Sequence, residues 1–458
     1  MITRIEISGF KSFWDFEMDL SPFLVVAGPN ASGKSNLFDA LKLLTNLSTM
    51  DLRSAFTQQG QRGELWELFS HFSQDTSKRG MQFAVEMLVP REAVDNWGQK
   101  VTIKNPRLRY ELSLEWAKDE KGIETIRVKS EQLSKIPIKN DTWAKKYFQK
   151  EMASVWKSTQ AGGTANPFIY TENDQGKATI KLRQDGGQGG KNRVANSINQ
   201  TVLSSVTTVD FPHVFAARQE LANWRYMQLN PEVLREPTRI EANSSDVLGH
   251  DGANLAAALY RLKVEDPYLI TLVSNKLCEF IDYKSIDVIK DELNHQYRIE
   301  LRNKSDEIFT SRVLSEGTLR LLALCELLYD DSYDGLLCFE EPENGIHPYR
   351  ITNIVNLLYE LSANLEDEVP ILRQVIVNTH SPWVIQEIHK LSKEHKNVKL
   401  MWTHNIKKYG DIEGKRVNMN ATKMVEVATN EQSELQMLDC DQKLTTMMVK
   451  ELLERGSK

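Results

Sequence analysis

Phe23-Leu24-Val25-Val26-Ala27-Gly28-Pro29-Asn30-Ala31-Ser32-Gly33-Lys34-Ser35 is the stretch that decides the fold. Its first five residues are a continuous apolar run, the pattern of a strand buried on both faces. Residues 28–35 then match G-x-x-x-x-G-K-[ST] at every specified position, and Leu37, Ala40, Leu41 and Leu44 follow as a helical stripe. Strand, glycine loop and helix together give that string its meaning. Gly28 and Gly33 permit a tight path, and successive N–H groups converge on an anion at a helix N-terminus. Lys34 adds charge for the β- and γ-phosphates, and Ser35 offers a hydroxyl to Mg²⁺. The expectation is a site for ATP and Mg²⁺.

A second element lies far downstream. Leu336-Leu337-Cys338-Phe339 reads as another buried strand and ends in Glu340-Glu341. Carboxylates at the end of such a strand lie beside the phosphate loop in folds of this kind. Glu340 is then the metal-side carboxylate, and Glu341 the group that orients or deprotonates a water. Arg373 to Asn378 reads as a further strand, ending in Thr379-His380-Ser381-Pro382. Ser315 caps a helix containing Leu319, Leu322, Ala323 and Leu327; Ile351 to Leu361 and the residues after Pro382 are also helical. Asp251 is read as the cap of a helix running to about Lys263, and Asp266-Pro267 as the start of the next. Strands are expected at 286–289, 297–301 and, several times, between about 80 and 130. A last helix is expected over about 441–454.

Residues 121–200 differ from the rest. They carry 14 Lys/Arg against 7 Asp/Glu, whereas the whole chain has net charge −6, and they contain glycine-rich runs. They read as a basic insertion, helical over about 141–157 and partly mobile. The acidic balance elsewhere excludes a general nucleic-acid coat, so DNA contact would need a local patch such as Lys145, Lys146, Lys150 and Lys157. Trp224-Arg225-Tyr226 is an aromatic-basic cluster on which single-stranded nucleic acid can stack, although a packed face is the stronger reading. Phe13 or Trp14 can stack on a base, with a core position the stronger reading. Four cysteines without C-x-x-C spacing, no signal peptide and no apolar run near ~18 residues point to a reduced, cytoplasmic protein with no membrane contact.

With these motifs quoted, a resemblance can be stated. Gly9-Phe10-Lys11-Ser12-Phe13 is similar to the first-strand motif of the SMC and RecF branch of the ABC-type ATPases. Gly28 to Asn36 resembles their G-P-N-x-x-G-K-S-N loop. Leu314-Ser315-Glu316-Gly317 resembles their L-S-G-G signature. Glu340 to Pro348 is similar to the Walker B and D-loop of the OLD-like members, and Asn378 to Pro382 to their switch histidine. The resemblance implies an α/β fold: an ABC-type head with a P-loop mixed or parallel core sheet, an antiparallel β subdomain and a helical insertion. It implies two halves of the head, 1–120 and 211–405, flanking the insertion 121–210, and a tail at 406–458. It implies that Gly28, Pro29, Asn30, Ala31, Ser32, Gly33, Lys34, Ser35 and Asn36 hold ATP, and that Ser315, Glu316 and Gly317 of a second protomer complete the site. Ser35 and Glu340 would hold Mg²⁺, and Glu341 and His380 would be catalytic.

Two positions depart from the pattern: Glu340 replaces the usual Asp, and Glu316 replaces the first signature Gly, adding negative charge near the γ-phosphate. The short stretch after His380 argues against a metal-dependent nuclease domain. No coupling-loop Gln is evident, which argues against a transporter ATPase. The expectation is a stand-alone, slowly hydrolysing subunit, homodimeric or larger. It would act with a separately encoded nuclease or toxin effector in anti-phage defence, the alternative being a RecF-like DNA repair ATPase.

Overall fold

The computed structural model describes residues 1–58, 62–71, 80–118, 122–148, 157, 166–174, 177–183, 190–194, 199–241, 245–367, 371–412, 415–428 and 449. An eight-stranded antiparallel sheet is built from β1 (Ile2–Ser8), β2 (Phe16–Asp19), β4 (Gly80–Leu88), β7 (Arg107–Lys118), β8 (Glu124–Lys135), β9 (Ile169–Asp174), β10 (Lys177–Arg183) and β11 (Gly190–Val194). Their order is β11-β10-β9-β8-β7-β4-β1-β2. A six-stranded sheet contains β3 (Phe23–Ala27), β12 (Arg225–Met227), β17 (Gly335–Glu340), β18 (Arg373–Thr379), β19 (Val398–Ile412) and β20 (Lys415–Glu426), in the order β12-β17-β18-β3-β19-β20. Its first five strands run parallel, and β20 returns antiparallel to β19. Two smaller sheets complete the set: β5 (Glu92–Val94) with β6 (Lys100–Thr102), and β13 (Thr238–Arg239), β14 (Ser285–Asp291) and β16 (Ile308–Thr310) arranged around β15 (Gln296–Arg302).

The all-apolar run at 23–27 is explained by its place. β3 lies inside the six-stranded sheet, every residue buried. Leu24 and Val26 join Leu336, Cys338 and Ile376 in one core, shared with the antiparallel sheet and the helix Lys34–Thr49. Phe23, Val25 and Ala27 join Leu337, Phe339, Val375 and Val377 in a second core, packed by Glu316–Tyr329, Ile351–Leu361 and Pro382–Glu394. A parallel sheet with apolar layers on both sides leaves only its strand ends for polar chemistry, and the carboxyl ends are where ligands bind in such sheets. The register Glu340↔Asn378 and Asn378↔Val26 sets the ends of three strands level.

Several expectations are corrected. The segment beginning at 121 does not open as a helical insertion: β8 pairs with β7 from Lys118↔Glu124 to Leu108↔Lys135, and β9–β11 extend the same sheet. A bulge at Ser113/Leu114 shifts the register, and the inward residues Val128, Glu131 and Leu133 are unevenly spaced, so no strict alternation appears in the sequence. Of the helix expected over 141–157, Thr142–Tyr147 forms, while 149–156 fall outside the described residues. The region from 406 is not a tail, because β19 and β20 carry the central sheet to Glu426. Asp251 does not cap the helix that starts at Leu255; its Oδ1 accepts from the Ala253 N–H in the preceding turn. The helix expected at 441–454 falls, apart from Val449, outside the described residues. The other expected strands and helices form, including Asp266 capping Pro267–Cys278. Among the described residues no helix is long and apolar enough to cross a membrane.

Candidate active site

The phosphate loop leaves the carboxyl end of β3. Gly28 and Gly33 have φ of 152° and 98°, and Ala31 is also left-handed at 62°. The loop has no room to spare. A Cβ on Gly33 would lie 1.9 Å from Thr422 Oγ1, and one on Gly28 would lie 2.6 Å from the Thr403 carbonyl oxygen. Lys34 folds back over the loop and donates to the carbonyls of Gly28 and Pro29, both at 2.8 Å. Burial lowers its pKa, and the charge of Glu341 opposes that. The Ser32 hydroxyl is buried without a protein partner.

Ser35, at the start of the helix, donates to Glu340 Oε1 at 3.2 Å and receives Asn378 Nδ2 at 3.4 Å. Asn378 Oδ1 is buried without a partner. The Ser35 hydroxyl and the Glu340 carboxylate are hard oxygen donors, the kind Mg²⁺ takes together with phosphate oxygens. Among the described residues no three His, Cys, Asp or Glu gather as a self-sufficient metal cage. The residues therefore fit Mg²⁺ carried in on a nucleotide.

Glu341 lies just past β17 in a left-handed conformation, φ 47°, which is uncommon for a side chain of this kind and is found at sites where geometry is enforced. Its N–H bonds the Asn378 carbonyl at 2.9 Å. One carboxylate oxygen meets His380 Nδ1 at 2.7 Å and the other accepts from Asn344 at 2.8 Å. Glu341 and His380 are thus held as a pair at the ends of adjacent strands. Beneath them Glu343 is buried, bonded by the Thr379 hydroxyl, and burial raises its pKa.

The signature residues are brought to the D-loop rather than to the phosphate loop. Ser315 caps its helix, accepting from the Thr318 N–H at 3.3 Å. A Cβ on Gly317 would lie 3.7 Å from the Gly345 carbonyl oxygen, and one on Gly345 would lie 2.9 Å from Glu316 Oε2. Burial lowers the pKa of Arg320, and the charges of Glu316 and Glu343 oppose that.

Several residues missed by sequence reasoning belong here. Lys11 and Arg62 both grip Asp39, at 2.6 and 3.2 Å, and Arg62 also donates to the Ser35 carbonyl at 3.0 Å. Two cations are thereby parked beside the phosphate loop. Lys11 belongs to the Gly9–Phe13 motif, which is a turn after β1 rather than part of the strand. Gln228 follows β12, whose register Met227↔Phe339 brings it level with Glu340, and both line a cavity of about 560 Å³. Ser12, in the Gly9–Phe13 motif, and Asn405 and Thr422, which no motif marks, also touch the loop or its immediate neighbours.

Other candidates move away from the site. Phe13 is fully buried and packs on Phe16, so it offers no face to a base; Trp14 packs against Met419 and Ala421. Trp224 is buried and donates to Glu220, Arg225 lies over the Tyr333 ring, and burial pushes the Tyr226 phenol well up. This cluster is sheet and core, not a nucleic-acid surface. Lys145 donates to the Lys139 carbonyl and Lys146 lies over the Tyr147 ring; Lys150 is outside the described residues, and Lys157 is exposed.

With this geometry in place, the comparisons can be read. Residues 1–210 match the family described as "AAA ATPase domain", and residues 229–385 match the one described as "AAA domain, putative AbiEii toxin, Type IV TA system". The first match contains the phosphate loop; the second contains Ser315, Glu341 and His380. Both matches are to AAA ATPase families, and between them they take in both groups of motifs. No curated protein matches the chain. Solved structures similar to it include an SmcHead bound to the C-winged helix domain of ScpA. That head is 13% identical, with TM-score 0.49, covering 93% of this chain and 98% of that one. The SMC head domain from Thermotoga maritima is 12% identical, with TM-score 0.39, covering 93% and 99%. An Smc head with an extended coiled coil, bound to the C-terminal domain of ScpA and derived from Pyrococcus furiosus, is 11% identical, with TM-score 0.41, covering 100% and 99%.

Proposed function

We propose that this ATPase hydrolyses ATP slowly and with Mg²⁺ at a site that a second protomer completes, and that the closed pair controls a separately encoded effector in anti-phage defence. The observation that carries the reading is the division of the motifs within one chain. Ser35, Glu340, Glu341 and His380 converge at the strand ends, while Ser315 caps its own helix and Glu316 and Gly317 lie against the D-loop. A helix N-terminus presenting Ser315 is an anion site in search of a phosphate, and a partner's Lys34-bound nucleotide supplies one.

The chain's own groups divide the work. Lys34 and the loop N–H groups bind and orient the phosphates, Ser35 and Glu340 hold the metal side, and Glu341 accepts the proton of an attacking water. His380 fixes the Glu341 carboxylate. Mg²⁺ in this place supplies charge neutralisation on the phosphoryl oxygens.

The defence reading draws on the resemblance and on the toxin–antitoxin description attached to the second family. RecF-like repair is the alternative, and the basic residues give it little support: Arg127 is paired with Glu115 and Lys181 with Glu172. The mass of the purified protein, measured by light scattering with Mg²⁺ and either ATP or ADP, tests the composite site. Doubling or greater with ATP alone is expected; a monomer in both sinks the reading. ATP-dependent DNA affinity that falls steeply with salt would favour repair over effector control.

A further inference from the structure

The hairpin β19–β20 is joined to the phosphate loop by side chains, and the pattern of those bonds is directional. Thr422 Oγ1, buried, lies 3.1 Å from the Ser32 carbonyl oxygen and 2.6 Å from Ser12 Oγ, which in turn receives Asn36 Nδ2 at 2.7 Å. The Thr422 N–H holds the Ser12 carbonyl at 2.9 Å. From β19, Asn405 Nδ2 donates to the Ala31 carbonyl at 3.2 Å. The carbonyls of Gly28 and Pro29 behave oppositely and turn to Lys34.

In a trans peptide the C=O and the next N–H point in opposite directions. A carbonyl drawn outward to the hairpin therefore aims the following N–H inward. Asn405 fixes the 31–32 peptide and so aims the Ser32 N–H; Thr422 fixes the 32–33 peptide and so aims the Gly33 N–H. Both peptides flank left-handed or glycine residues, Ala31 at φ 62° and Gly33 at 98°, whose torsions the local chain does not hold by itself.

We propose that Thr422, assisted by Asn405, is a positioning residue that preorganises the phosphate loop, pointing the Ser32 and Gly33 N–H groups at the β-phosphate. The proposal rests on the nucleotide reading given above and assigns to the hairpin a part in substrate affinity. It makes a polar contact 390 residues downstream of the loop a determinant of how tightly diphosphate is held.

The test compares ADP and AMP binding by calorimetry on the full chain, wild type against Thr422→Val and Thr422→Ser, with melting temperatures recorded alongside. Val removes the hydroxyl and Ser keeps it. The expected result is that Thr422→Val weakens ADP about tenfold, the scale of one charge-assisted hydrogen bond, with AMP unchanged. Thr422→Ser should restore ADP affinity, and kcat at saturating ATP should fall less than kcat/KM. A folded Thr422→Val protein with the wild-type ADP-to-AMP ratio overturns the proposal, as does an equal loss for both ligands. If Thr422→Val does not fold, Asn405→Leu, at an exposed position of β19, serves instead: a selective loss of ADP supports the proposal and unchanged ADP overturns it. Failure of the wild type to bind ADP at all would instead sink the nucleotide reading.

Discussion

Exchanging Glu341 for Gln removes one charge and almost no volume. The carboxylate is held on one side by His380 at 2.7 Å and on the other by Asn344 at 2.8 Å, and its backbone by Asn378, so the amide stays in place. It does not accept a proton. Loss of a positioned base costs about 100- to 10,000-fold in rate, or about 3–5 kcal/mol of barrier. Binding follows a different course. Lys34, Ser35 and Glu340 are untouched, and a negative charge that the triphosphate would otherwise face is gone, so ATP affinity is kept or improved. Single-turnover hydrolysis and a separate fluorescence titration with labelled ATP divide the two effects. Turnover by Glu341→Gln equal to wild type would refute the assignment of Glu341 as base; lost hydrolysis together with lost binding would mean that the carboxylate holds the site's shape rather than its proton.

Other perturbations follow from the same geometry. Ser35→Ala should abolish the Mg²⁺ dependence of ATP affinity, costing about tenfold with Mg²⁺ and little in EDTA; equal losses in both would place the metal elsewhere. Glu316→Gly removes a carboxylate from the signature turn and should strengthen ATP-linked self-association by roughly threefold, read by sedimentation; weaker association would count against the composite site. Glu131 is fully buried under the Tyr110 hydroxyl and the N–H groups of Val202 and Leu203, and burial pushes its pKa up to about 7. The folded chain therefore keeps a proton that the unfolded chain releases from about pH 4.5, and the stability it brings is fully present below that pH and lost as pH rises through 7. About 3 kcal/mol is at stake. Denaturant unfolding of wild type and Glu131→Gln across that range should give a steeper decline for wild type; parallel curves would exclude a protonated Glu131.

Much of this was legible in advance where chemistry is local. β3, β17 and the middle of β18 announce themselves through the apolar runs 23–27, 336–339 and 375–377, as strands buried on both faces do, and each leads into polar residues. Glu341 and His380 are each read from those strand ends, but the hydrogen bond between them appears only in the structure. The antiparallel sheet beyond β7 was hidden because its register shifts at Ser113/Leu114 and its inward row includes an acid, Glu131, in place of an apolar residue. The hairpin was hidden for another reason. Its bond to the loop is a matter of single polar atoms, Thr422 and Asn405, whose meaning comes only from a pairing between residues nearly four hundred apart. Gln228 shows the same limit: nothing in the string Met-Gln-Leu-Asn marks it until β12 is seen beside β17.

The neighbours of β3 carry a consequence for how the protein is made. Its two hydrogen-bonded partners, β18 and β19, lie at 373–379 and 398–412. A ribosome at roughly 5–20 residues per second therefore releases the phosphate loop tens of seconds before either flank of its strand exists. Through that interval residues 23–27 are an apolar segment with two open edges, the state most exposed to mispairing. The sheet edge on either side of the phosphate loop is therefore closed only when residues 373–412 have been made.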